Sequence, residues 1–264
     1  MAAADRDPEY YPLFIVALRC GLRQGELIAL RWSDIQLGAD ENDKNRFIFV
    51  QSNFSRGKFT TPKSRHSRRR VDLSKQVRGV LAELKDRRLL DAMLQDRESI
   101  SDDLVFPARS GEKKDESNEQ KPSGRRLDPA KPLDPANLAH YHFQPALEAA
   151  GLRRFRFHDL RHTYGSLLAQ AGAPLVYIKE QMGHSSIRIT ADCYAHLQPA
   201  SNIGFADMLD EKSTPQTSAT QAQTESVANE EEVLDNTEVI DMTQIPGGPG
   251  RIRTYNQQIM SLLL

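Results

Sequence analysis

The stretch "HDLRHTYGSLLAQAG", residues 158 to 172, decides how the rest of the chain is read. Its apolar residues recur at helical spacing, so it reads as one helix, yet His158, Arg161 and His162 crowd its first two turns. The positive end of a helix dipole repels cations, so such a start costs stability unless an anion or a metal offsets it. The segments around it have to say which.

Working outward, "PEYYPLFIVALRC" (8 to 20) and "QGELIAL" carry apolar residues at helical spacing and are separated by a turn at Gly21. The runs "RFIFVQSN" and "RRRVDL" are β-branched and aromatic, and the basic stretch between them, with its Gly and Pro, suits a turn. They predict a small antiparallel sheet, followed by a Ser-capped helix over "SKQVRGVLAELKDRRLLDAML". Residues 108 to 135 run polar, with Gly111, Gly124 and several prolines, and are expected to form a long mobile loop outside the core. Helices resume with "PANLAHYHFQPALEAAG", the opening stretch, "PLVYIKEQMG" with Pro174 in its first turn, and a last one through "ITADCYAHL". The fold class is mainly α with a small antiparallel β-sheet (α+β).

A chain of 264 residues with 39% hydrophobic content can bury a real core. Cys20 and Cys193 are the only cysteines, and no charged-then-apolar leader or long apolar run is present, so a reduced, cytoplasmic protein without membrane insertion is expected. The net charge of -1 hides an asymmetry. From Ala206 onward there are 10 acidic and 3 basic residues, which leaves 32 basic against 26 acidic in 1 to 205. The basic residues cluster in "RGKFTTPKSRHSRRR" (56 to 70) and "RRFRFHDLRH" (153 to 162), as a polyanionic partner would require. The division expected is a catalytic domain over 1 to 205 and an acidic, then irregular, disordered tail over 206 to 264.

Cutting a phosphodiester without a metal needs permanently charged, planar donors that grip two phosphoryl oxygens, which is arginine chemistry. It also needs a hydroxyl nucleophile and an acid for the departing sugar oxygen. "CGLRQGELIALRWSDI" (20 to 35), a lysine in "TPKSRHSRRRVDL", "HDLRHTYGSLLAQAGAPLVYIKEQMGHSS" and "TADCYAHL", taken together, resemble the catalytic domain of tyrosine recombinases of the phage-integrase type, over roughly residues 8 to 200. The resemblance implies that Arg23 and Arg161 grip the phosphate and that Glu26 is a structural carboxylate near Arg23. It implies that Lys63, with Lys58 close by in the same turn, protonates the leaving 5′-hydroxyl. His158 then assists proton transfer, His184 donates to a phosphoryl oxygen, and Tyr194 is the nucleophile. His162 is expected to pack or hydrogen-bond inside the domain, and Tyr177, on an apolar stripe, to be core.

The reaction so implied is cutting and rejoining of double-stranded DNA through a 3′-phosphotyrosyl link, needing no cofactor, by a homotetramer on DNA that is a monomer in isolation. The family's N-terminal core-binding domain, which grips DNA ahead of the catalytic one, is expected to be absent. Two other readings compete. His158 and His162, four apart, with His184, Cys193 and His196 as further ligands, point to a zinc site, although Asp159 stands where such motifs carry glutamate and the neighbouring arginines repel a cation. Alternatively the region 173 to 197 is a helix-turn-helix DNA reader without chemistry. A type IB topoisomerase shares the chemistry but not the spacing.

The ending "GGPGRIRTYNQQIMSLLL" (247 to 264) fits none of this chemistry. It can be written as the antisense strand of a tRNA gene: Arg251 to Thr254 as CGG-ATT-CGA-ACC, the complement of a T-arm, with Met260 falling on a CAT anticodon. A gene overlapping a tRNA in this way is expected of an integrated mobile element.

Overall fold

Residues 8–61, 67–109 and 127–199 are described by the structure, a computed structural model. At its centre is helix α1 (Tyr11–Cys20), in which Leu13, Phe14, Ile15, Val16, Leu18 and Cys20 are all buried. A helix apolar all round must be enclosed by other elements, and this one is. Gly21 ends it in the left-handed conformation at φ 58°. A Cβ there would also lie 2.3 Å from the Tyr164 ring, so only glycine permits both the turn and the packing. Short helix α2 (Gln24–Ile28) follows, with Arg23 as its N-cap.

The expected sheet is present and larger than the alternation indicated. Strand β2 (Phe47–Val50) pairs antiparallel with β5 (Arg69–Asp72), Ile48 opposite Val71, and a two-residue strand β1 (Ile35–Gln36) adds on the other side of β2. The basic stretch expected to be a turn folds in part into its own hairpin, β3 (Asn53–Ser55) with β4 (Lys58–Thr60). Arg56 and Gly57, at φ 51° and 74°, make its two-residue turn, the geometry that matches strand twist. Helix α3 (Lys75–Met93) starts at Ser74, whose hydroxyl accepts from Val77 N at 3.3 Å, and buries Val77, Leu81 and Leu84 along one face.

The long loop expected over 108 to 135 differs at both ends. Strand β6 (Pro107–Arg109) pairs with β7 (Leu127–Pro132), and Ala108 and Leu133 are buried in the core. Backbone pairing holds these Pro-rich residues in place where their side chains carry no strand signal. The middle of that expected loop lies outside the described residues, as do Lys63 and everything beyond 199, including the acidic segment and the closing 247 to 264.

Helix α4 (Pro135–Asn137), capped by Asp134, continues through a π-helical stretch (Leu138–Phe143) into α5 (Gln144–Ala149). Phe143 there meets Phe14, Phe155 and Phe157 at ring distances of 5.7, 5.4 and 5.1 Å. Helix α6 (Asp159–Gln170) lies against α1. Next come α7 (Leu175–Met182), for which Pro174 is the N-cap rather than a first-turn residue, α8 (Ile187–Tyr194) and a 3-10 turn (Ala195–Leu197). Tyr164, Ala169, Ile178, Met182, Tyr194 and Leu197 form a second small core under these helices. Among the described residues no helix is long and apolar enough to cross a membrane.

Candidate active site

The last four carbonyls of a helix have no partner inside it, and α7 shows where each of its own goes. Gly183, left-handed at φ 62°, donates its N–H to Glu180 O at 3.1 Å, and His184 N donates to Lys179 O at 3.1 Å. The other two are taken by arginines from distant parts of the chain: Arg69 Nε donates to Gln181 O at 2.8 Å, and Arg161 Nη2 donates to Met182 O. Arg23 Nη2 approaches the next carbonyl, Gly183 O, at 3.5 Å. Three guanidiniums therefore converge on the negative end of one helix.

A single carboxylate lies among them. Glu26, 4% exposed, accepts from Arg23 Nη1 at 2.6 Å and from Arg69 at 2.9 and 3.1 Å, while Arg23 N donates to it at 2.9 Å. Burial alone would raise its pKa; the Arg69 hydrogen bonds and the Arg69 and Arg23 charges outweigh that and hold it at about 2. Glu26 stays ionised, and the cluster keeps an excess of two positive charges. Arg161 is buried and also donates through Nη1 to Gly21 O, so it joins the ends of α1 and α7. Burial, then the charges of Arg23 and Arg69, bring it down to about 9, which leaves it charged at neutral pH. Arg23 is the most open of the three, its side chain 38% exposed. It faces a groove of about 770 Å³ shared with Arg56, Lys58 and Thr60 of the β3–β4 hairpin.

The three histidines take separate positions. His158 is the N-cap residue of α6, and burial followed by the nearby His162 and Arg161 charges lowers its pKa. His162, one turn on, stands edge-to-face with His158 at 5.1 Å, and its Nδ1 lies 3.1 Å from Tyr194 Oη. His184 Nδ1 hydrogen-bonds the buried Thr190 hydroxyl at 2.9 Å, and its ring lies parallel to that of Tyr194 with centroids 6.5 Å apart. Partial burial and the Arg161 and Arg23 charges bring its pKa down to about 4.

Tyr194, the last residue of α8, is 2% exposed. Burial, and after it Cys193, push its phenol above the ordinary range, with the Arg161 charge opposing them. A Cβ on Gly165 would lie 2.6 Å from its Cζ, so the absent side chain there makes the space the ring fills. The cation-rich start of α6 is explained without a ligand as far as folding goes. Arg161 turns inward to carbonyls, and Asp159 in the first turn accepts from Arg156 N at 3.0 Å and from its guanidinium at 2.9 Å.

Of the residues singled out from the sequence, Arg23, Glu26, Arg161, His184 and Tyr194 come together, with His158 at the edge through His162. Tyr177 is not core: its hydroxyl donates to Asp72 Oδ2 at 2.9 Å on the exposed side. Arg69 was not singled out. Among the described residues no three of His, Cys, Asp or Glu are grouped so as to hold a metal ion.

A mainly helical body with small antiparallel sheets, joining an arginine cluster to a phenol and two imidazoles, is a tyrosine-recombinase catalytic domain. The profile of the phage integrase family matches residues 1–201, and the chain belongs to that family. A tyrosine recombinase XerC-like protein of Caldanaerobacter subterraneus subsp. tengcongensis is 29% identical over 210 residues, covering 75% of this chain and 48% of that protein. The ICEBs1 integrase of Bacillus subtilis is 31% identical over 201 residues, again covering 75% and 48%. The chain thus spans about half the length of these relatives. The XerA recombinase has a similar fold, with a TM-score of 0.50 at 18% identity over 80% of this chain and 61% of that one.

Proposed function

We propose that this chain is the catalytic part of a site-specific DNA recombinase that acts for an integrated mobile element. The observation that carries the reading is the arginine cluster with two charges in excess beside a hydroxyl that can act as a nucleophile. Attack by the Tyr194 oxygen on a DNA phosphate forms the 3′-phosphotyrosyl bond and breaks the bond to the 5′ oxygen. Arg23 and Arg161 spread their donors over the non-bridging oxygens, where charge builds in the transition state. His184 adds a donor from its free ring nitrogen, His158 assists proton transfer, and Lys63 protonates the departing 5′ oxygen. The phosphodiester energy is kept in the tyrosyl link, so neither ATP nor a metal enters the balance.

Double-stranded DNA is the partner, held along the groove beside Arg23, Arg56 and Lys58, and a homotetramer assembles on it from monomers. Relatives that are integrases of mobile elements support the DNA partner, as does a solved neighbour, the Tn1549 transposon integrase in complex with circular intermediate DNA (19% identity, TM-score 0.50). Supercoiled plasmid DNA tests it without knowledge of the target site, because any transient single-strand cut lets the duplex rotate. The chain is expected to relax the plasmid with EDTA present and to leave a denaturant-stable protein–DNA adduct. Tyr194→Phe removes only the hydroxyl and should abolish both. An adduct formed by the Phe variant would eliminate Tyr194 as nucleophile.

A further inference from the structure

We infer that His162 is the base that takes the Tyr194 proton. The inference rests on the reading of Tyr194 as nucleophile and adds a residue to it. A phenol is protonated at neutral pH and a poor nucleophile until its proton has somewhere to go. In this structure the hydrogen-bond partner of Tyr194 Oη is His162 Nδ1, at 3.1 Å, within the range for proton transfer. The other two histidines are placed otherwise. His184 stands ring-parallel to the phenol with Nδ1 engaged by Thr190, and His158 meets only the face or edge of His162.

The surroundings favour an imidazole with a free lone pair. Asp159 on the same helix draws His162 toward the charged form, whereas partial burial and the Arg161 and Arg156 charges draw it toward the neutral one, and the neutral direction prevails. Neutral His162 with its proton on Nε2 presents the Nδ1 lone pair to the phenol. His162 is also exposed enough to exchange protons with water, while Tyr194 is covered.

The step balances without any further reagent. The Oη–H bond breaks and its proton passes to His162 Nδ1, the Oη–P bond forms, the P–O5′ bond breaks, and the 5′ oxygen takes a proton from the acid on its side. On rejoining, the 5′-hydroxyl gives its proton back to that acid as its oxygen bonds to phosphorus, the Oη–P bond breaks, and imidazolium His162 returns its proton to the departing phenolate.

Two readouts test it. In the free, full chain with ¹⁵N-labelled histidine, long-range ¹H–¹⁵N spectra at neutral pH should show His162 neutral, with Nδ1 bare and Nε2 protonated, and the Nδ1 signal should move in Tyr194→Phe. A proton on Nδ1 overturns the inference, because His162 would then donate to the phenol. In adduct formation on supercoiled plasmid, His162→Asn keeps an acceptor near the Nδ1 position but cannot take the proton. It should be slower by about a hundredfold, recovering as pH rises toward phenol ionisation. If Asn restores the wild-type rate and pH profile, the contact is only structural and the inference is wrong. A persisting adduct in Tyr194→Phe instead locates the failure in the nucleophile assignment itself.

Discussion

Glu26 is one carboxylate shared by two guanidiniums, with its remaining oxygen capacity taken by Arg23 N. Removing it strands the buried Arg69 charge. Glu26→Ala is therefore expected to lose about 3–5 kcal/mol in urea unfolding, the range seen when one partner of a buried pair is deleted. A loss below about 1 kcal/mol would mean that water reaches the cluster. At this scale the sequence was informative where side-chain type and spacing coincide. Arg23 with Glu26, His158 with Arg161, and Tyr194 ten residues beyond His184 could all be singled out. Arg69 could not, being one of three consecutive arginines. Its one signal was alternation: Arg69 and Val71 share the inward face of β5 while Arg70 and Asp72 point out. His162 does form the hydrogen bond expected of it, but to the phenol and from the surface.

Helix α7 ends with all four of its open carbonyls met, two by glycine-turn N–H groups and two by arginines. Gly183→Ala places a side chain at φ 62°, and about 1 kcal/mol should be lost in thermal unfolding. Because His184 follows directly, adduct formation should fall as well. An unchanged melting temperature would show that the turn is not under conformational demand. Elements with their own periodicity or caps, such as α1, α3 and α6, were legible. The strands β1, β6 and β7 were not, since two- and three-residue pairings of polar or Pro-containing backbone are set by their partners rather than by propensity. The hairpin β3–β4 was hidden for a related reason: its basic residues read as a turn, and the Arg56–Gly57 pair that makes the turn is a weaker signal than Asn-Gly.

The whole molecule should respond to acid in two steps with one sign. His184 has a pKa of about 4 against an ordinary 6.5, so the unfolded chain binds this proton first as pH falls, and stability is lost between 6.5 and 4. His158 and His162 are lowered too and act in the same direction. Glu26, at about 2 against an ordinary 4.5, contributes fully above 4.5 and loses its contribution as pH falls toward 2. The melting temperature should therefore be level just above pH 7, below the range where Arg161 titrates, and fall through both windows, and His184→Gln should weaken the upper step. A level profile from pH 7 to 4.5 would contradict the histidine environments described. The arginine clamps have a further consequence, in time rather than in space. The contacts of Arg69 with Gln181, Arg161 with Gly21 and Arg23 with Gly183 join residues 112, 140 and 160 apart. A ribosome adding about 5–20 residues per second releases Arg23 on the order of ten seconds or more before Tyr194. For most of that interval the growing chain carries the first arginine and its carboxylate but neither the α7 carbonyls that hold the cluster nor the phenol. On the proposed function, a nascent or prematurely terminated chain is harmless to the chromosome beside it, and the ability to cut appears only once α8 brings the phenol to the arginine cluster.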